Sequence, residues 1–135
     1  MKFEHYLHQG IAVVISVNTF RAESLKKSSL QAIHTAKEIP LKEEKLKSIF
    51  RELYEGLRQY CEAIGYLKGY KFNSHDVITA FLEEELQELT IAKQFDRYRK
   101  LRNKINYYGD DVELETVKEA LLMIPKIVEQ LEKYS

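Results

Sequence analysis

From Leu41 onward the apolar residues Leu46, Ile49, Phe50, Leu53, Leu57, Tyr60, Cys61, Ile64 and Leu67 recur at steps of three and four. The pattern is sustained over about seven helical turns. A helix places residues at such steps on one face, and a stripe this long must be covered by other helices. A strand cannot satisfy it, because its successive side chains point to opposite faces. The chain is therefore expected to be all-α and built around one long central helix. Gly65 and Gly69 bracket the end of that helix, and Lys68-Gly69 is where a left-handed residue would close it.

The other segments offer partners for this stripe. Asn18 or Thr19 can cap a helix that turns Phe20, Leu25, Ala32, Ile33 and Ala36 inward and ends before Pro40. Its many polar residues leave one face wet. Asn73-Ser74 offers a cap for a short helix with Val77, Ile78, Phe81 and Leu82 on its apolar face. Another helix starts near Thr90 and stops at Gly109. The last runs from about Val112 to Tyr134, with Leu114, Val117, Leu121, Ile124, Val128 and Leu131 facing inward, and Pro125 is expected to kink it or to start a second segment. Residues 1–17 read as an arm or a lone edge strand that needs a partner, on the helices or in another subunit. No strand-like alternation follows residue 17. The expectation is an N-terminal arm followed, over residues 18–135, by one up-and-down bundle of about five helices.

Composition narrows the function classes. The longest apolar run, Ile11 to Ile15, cannot span a bilayer, and Met1 to His5 lack a secretory start, so a cytoplasmic location is expected. Cys61 is the single cysteine and sits on the apolar stripe, where a buried thiol fits. With 21 basic and 21 acidic residues, there is no whole-molecule basic field of the kind a strong duplex binder carries. The distribution is uneven, however. Six basic residues and one acid, Asp96, lie between Lys93 and Lys104, whereas the segment Glu83 to Glu88 is acidic. That polarity suits a local anionic ligand, or two copies meeting basic patch to acidic patch; two solvated helix faces would produce it as well.

The segment Phe95 to Gly109 departs most from plain core packing. On a helix Ile91, Phe95, Tyr98 and Ile105 fall within about 80° of one another, and Arg102 lies inside that stripe. A guanidinium there must find an anion, a carbonyl or another chain. Arg99, Arg102, Asn103 and Asn106 form one polar ridge within about 100°. Two guanidinium forks and two amides on a ridge can grip phosphate oxygens and read a nucleotide edge, with Tyr98, Tyr107 and Tyr108 near enough in sequence to supply stacking surface, although Tyr107 is expected to project well away from the ridge. The competing reading pairs the arginines internally with Glu83, Glu84, Glu85 or Glu88. His5, His8, His34 and His75 do not form a metal-ligand pattern, and no cofactor motif, nucleophile elbow or glycine-rich phosphate loop is present. His75 follows Ser74 and precedes Asp76, and reads either as part of a helix start or as a proton donor or phosphate contact beside the ridge.

Three segments carry a family resemblance: Leu53 to Ile64 leading to Leu67-Lys68-Gly69-Tyr70, then Ser74-His75-Asp76, and above all Phe95 to Asn103 with Tyr107-Tyr108-Gly109. From about Thr19 to Leu131 the chain resembles the HEPN superfamily, the small helical bundles of prokaryotic toxins, RNA-cleaving enzymes and partners of minimal nucleotidyltransferases. The family's ribonuclease signature is an arginine, usually a polar residue next, and a histidine after four to six intervening positions. Arg102 and Asn103 match its start, but Tyr107, Tyr108 and Gly109 occupy the positions open to the histidine. A tyrosine, with its ordinary pKa near 10, is poorly suited to general acid or base work at neutral pH. The resemblance implies a homodimer formed through the helices that bear Arg102, with the two ridges across a shared cleft. The expected function is an RNA- or nucleotide-binding module, non-catalytic or weakly catalytic, that works with a minimal nucleotidyltransferase. Arg99 and Arg102 would hold phosphate, and Asn103 and Asn106 would orient the ligand. The alternatives are a metal-independent endoribonuclease using Arg102 with His75 or Tyr107, and a purely structural helical dimer.

Overall fold

The computed structural model describes residues 1–135, and the long apolar stripe lies at the centre of six helices. In chain order these are α1 (Phe3–His8), a strand β1 (Ala12–Val14), α2 (Thr19–Glu38), α3 (Leu46–Leu67), a strand β2 (Tyr70–Phe72), α4 (Asp76–Ala80), α5 (Leu89–Tyr108) and α6 (Leu114–Leu131). The fold is thus a helical bundle with one two-stranded ribbon. No helix is long and apolar enough to cross a membrane.

Helix α3 buries the expected stripe: Ile49, Phe50, Leu53, Leu57, Cys61 and Ile64 are inaccessible to solvent. Lys68 follows it in a non-helical conformation, and Gly69 closes the turn at φ +85°, which a glycine adopts without steric cost. Gly65 serves a different purpose from the expected one. It remains helical, and a Cβ there would lie 2.7 Å from the Phe72 ring, so its bare backbone lets β2 lie against α3.

Helix α2 approaches α3 closely because its inner face is small. Ala22, Ser29, Ile33 and Ala36 are buried, and the Ser29 hydroxyl donates to the Gly56 carbonyl at 2.6 Å. Phe20, expected to face inward, is 83% exposed. At 100° per residue Phe20 lies about 160–220° around α2 from the buried Ala22, Ser29, Ile33 and Ala36, so it falls on the wet face of the helix. The Asn18 side chain accepts a hydrogen bond from the Arg21 N–H at 2.9 Å and caps the helix as expected. Asn18→Ala is expected to cost about 1 kcal/mol of stability, read as a lower denaturant midpoint with an unchanged slope.

The first residues form more than an arm. Phe3 and Tyr6 of α1 enter the main core, and β1 pairs antiparallel with β2 of the same chain, Ala12 opposite Phe72 and Val14 opposite Tyr70. Three residues are too few to show alternation, which is why β2 left no mark in the sequence pattern. Helix α4 continues into one wide π-turn over Phe81–Glu85 and buries Val77, Ile78, Phe81 and Leu82. At its start the Ser74 hydroxyl does not cap a backbone N–H; it donates to the Asp76 carboxylate. Helix α6 runs through Pro125 as one segment, so no second segment begins there. The buried Ile124, Ile127 and Val128 hold both sides of the proline against the core. Leu114, expected inside, is 40% exposed.

Helix α5 lies antiparallel to α3. Its Phe95 ring packs 5.8 Å from Tyr54 and its Tyr98 ring 6.0 Å from Phe50, while Lys47 Nζ at the start of α3 donates to the Gly109 carbonyl at 3.1 Å. Gly109, at φ +69°, ends α5 where the sequence placed its stop.

Candidate functional site

A cleft of about 400 Å³ opens between the start of α4 and the exposed side of α5, lined by Ser74, His75, Asp76, Arg99, Arg102, Asn103 and Tyr107. Helical spacing explains the α5 contribution, since Arg99, Arg102 and Asn103 stand at i, i+3 and i+4 on one side. The α4 contribution depends on tertiary packing. Thr79 donates to Asp96 at 3.0 Å, which holds α4 beside α5 and brings His75 to the same opening as Arg102.

Arg102 is half-buried, and no carboxylate lies within ion-pairing distance of it. Its guanidinium lies over the Tyr54 ring, 5.7 Å from the centroid, and its one side-chain hydrogen bond is a long one to Asn103 Oδ1 at 3.4 Å. Most of its donors therefore remain available to a ligand. Arg99 differs, because its Nε and Nη2 both donate to Asp96 Oδ1, at 3.0 and 2.8 Å. Burial pushes the Asp96 carboxyl upward, but hydrogen bonds from Arg99, Lys100 and Thr79 outweigh it and hold the group below the usual carboxylate range. Of the two ridge arginines, Arg99 is paired internally, but with Asp96 and not with the Glu83–Glu88 segment, and Arg102 is not paired; Arg97, off the ridge, pairs with Glu119.

His75 is anchored from below. Its Nδ1 lies 3.0 Å from the Tyr54 hydroxyl, and the two rings are 5.7 Å apart. Burial lowers its pKa from the ordinary 6.5 to about 4, assisted by the Arg58, Arg102 and Arg99 cations and opposed by Glu55. The imidazole is neutral at pH 7, so it offers the cleft a hydrogen bond and no charge. Burial also raises the Tyr54 phenol, which keeps its proton. A histidine depressed in the folded state binds fewer protons there than in the unfolded chain. Stability should therefore rise with pH between about 4 and 6.5 and stay level in this respect above that. An NMR titration of the His75 ring should show a midpoint near 4; a midpoint at 6.5 would contradict the buried, cation-flanked setting.

The remaining candidates separate. Asn103 lines the cleft beside Arg102, and Tyr107, expected to project away from the ridge, instead forms the rim of the same cleft and is 73% exposed. Asn106 points elsewhere and accepts from Arg51 Nε at 2.8 Å, joining α5 to α3 outside the cleft. Tyr98 is fully buried and donates to Glu119 at 3.0 Å, so its ring is core and not stacking surface. Ser74, Asp76 and Tyr54 are site residues not singled out from the sequence, and Tyr54 reaches the cleft only through its contacts with His75 and Arg102. Asp76 is the acid in the cleft, and its oxygens are engaged by the Ser74 and Tyr6 hydroxyls. No three His, Cys, Asp or Glu side chains gather in a metal-holding arrangement. Cys61 is fully buried, its thiol pushed up to about 12, and takes no part.

Fold and cleft together define a helical bundle with one uncompensated guanidinium set beside a neutral histidine. No family model, curated protein or solved structure matches the chain.

Proposed function

We propose that this protein is a HEPN-like module that binds RNA or a nucleotide through the cleft between α4 and α5, without cleaving it efficiently. The observation that carries this reading is Arg102: a half-buried guanidinium with no carboxylate partner, facing an open cleft of about 400 Å³. Such a group is best satisfied by an anion, and phosphate matches its planar fork. Arg99 would share the phosphate while remaining oriented by Asp96, and Asn103 would supply amide contacts. Asn106, held by Arg51, would hold the helix pair in place and not touch the ligand.

His75 enters this reading as a neutral hydrogen-bonding group. A ribonuclease reading draws on the same pairing of His75 with Arg102 in one cleft, but an imidazole with a pKa near 4 is a weak base for removing a hydroxyl proton at neutral pH. The resemblance adds a homodimer that would set two clefts side by side, and a minimal nucleotidyltransferase as working partner. Sedimentation of the isolated chain tests the first, and co-purification with such an enzyme the second.

The deciding experiment incubates the purified protein with labelled single-stranded RNA in the presence of EDTA, following both binding and cleavage across a salt series. Binding that weakens as salt rises, with the RNA left intact, is the expected result. Cleavage abolished by Arg102→Ala in a folded protein would replace the binding reading with the ribonuclease one. Absence of both binding and cleavage would leave a structural bundle.

A further inference from the structure

Helix α5 carries a second basic stripe that the cleft does not use. Lys93, Arg97, Lys100 and Lys104 recur at steps of four, three and four and fall within about 60° of one another, roughly 140° around the helix from the Arg99/Arg102 ridge. They line a groove of about 470 Å³ that reaches Thr116 on α6. Lys93 and Lys104 are exposed and form no ion pair, while Arg97 is held by Glu119 and Lys100 by Asp96 at 3.0 Å.

This groove is not isolated from the cleft. Between them lies a third depression, of about 320 Å³, beside α1 and α4. It shares Asp76 and Arg99 with the cleft, and Asp96 and Lys100 with the groove. The three form a continuous track that crosses the exposed side of α5. Six cations border it, against Asp76, Asp96 and Glu83, and Asp96 is already saturated by Thr79, Arg99 and Lys100.

Resting on the cleft reading above, we infer that the Lys93/Lys104 groove is a second phosphate-binding site, and that the ligand is a single strand long enough to run from the cleft across α5 into it. A mononucleotide fills only the first depression. A duplex cannot follow a track that turns about a helix only about 10–12 Å across, whereas a flexible single strand can. The exposed Tyr107 ring at the cleft end adds a surface on which an unpaired base can stack.

The test compares two probes, adenosine monophosphate and a labelled single-stranded oligoribonucleotide of about twelve nucleotides, on the wild-type chain, on Arg102→Ala and on the double variant Lys93→Ala/Lys104→Ala. Both lysines are exposed and unpaired, so the double variant should melt like the wild type. It is expected to bind the oligonucleotide on the order of tenfold more weakly at low salt. The slope of log affinity against log salt should fall by about 1.4, two phosphates at about 0.7 each. Binding of the monophosphate, followed by NMR shifts at the cleft, should not change, and Arg102→Ala should weaken both probes. An oligonucleotide slope untouched by the double variant, with Arg102→Ala still weakening both probes, would overturn the second site and leave the cleft standing. Equal affinity for a duplex of the same length would overturn the single-strand assignment. No effect of Arg102→Ala on either probe would remove the cleft reading, and this inference with it.

Discussion

Arg102→Ala should weaken single-stranded RNA binding by about 10- to 100-fold while leaving the protein folded, because a charge-assisted hydrogen-bonding group contributes about 1.5–3 kcal/mol. The fold should tolerate the change because Arg102 neutralises no acid. Its contact over Tyr54, at 5.7 Å, is worth about 0.5–1 kcal/mol. Arg102→Lys should recover only part of the affinity, since an ammonium keeps the charge but not the planar fork. Arg99→Ala supplies the contrast. It removes two hydrogen bonds from Asp96 and should lower binding and stability together. Binding isotherms at several salt concentrations, with a thermal melt of each variant, separate these outcomes. An Arg102→Ala protein with wild-type affinity and salt slope would eliminate the cleft as the site.

Gly56→Ala should destabilise the fold by about 2 kcal/mol, for reasons unconnected with ligand. The added Cβ would lie 2.7 Å from Ile33 Cγ1 and 2.9 Å from the Ser29 carbonyl oxygen, both closer than carbon atoms approach one another or an oxygen. Ile33 can rotate, but the carbonyl belongs to the α2 backbone, so α2 must shift away from α3. Overpacking of this kind costs about 1–3 kcal/mol and also stretches the buried Ser29 to Gly56 hydrogen bond of 2.6 Å. Alanine's better helix propensity returns about 0.8–1 kcal/mol and does not close the gap. A melting temperature lower by about 5–10 °C is expected by circular dichroism. Ser29→Ala should cost less, about 1 kcal/mol, since it removes the hydrogen bond without crowding. A melting temperature unchanged by Gly56→Ala would mean that α2 and α3 do not meet as closely as described.

The long elements of the bundle were legible before any coordinates because they depend on local periodicity. The α3 stripe, the stop at Gly109 and the Asn18 cap are each set by residues within a few turns of one another, where backbone geometry alone relates spacing to direction. Partners distant in sequence were not legible in this way. Ala12 and Phe72 pair across an interval that no spacing rule covers, and the Ser29 hydroxyl finds the Gly56 carbonyl on another helix.

The cleft divides along the same line. Placing Arg99, Arg102 and Asn103 on one side of a helix follows from their order in the chain. Whether Arg102 meets an acid, whether His75 shares its opening, and whether Asn106 turns toward Arg51 are decided by how α3 and α4 pack against α5. Spacing along one helix fixes direction, whereas charge compensation depends on what another helix brings within a few ångströms, and only the tertiary structure determines that distance.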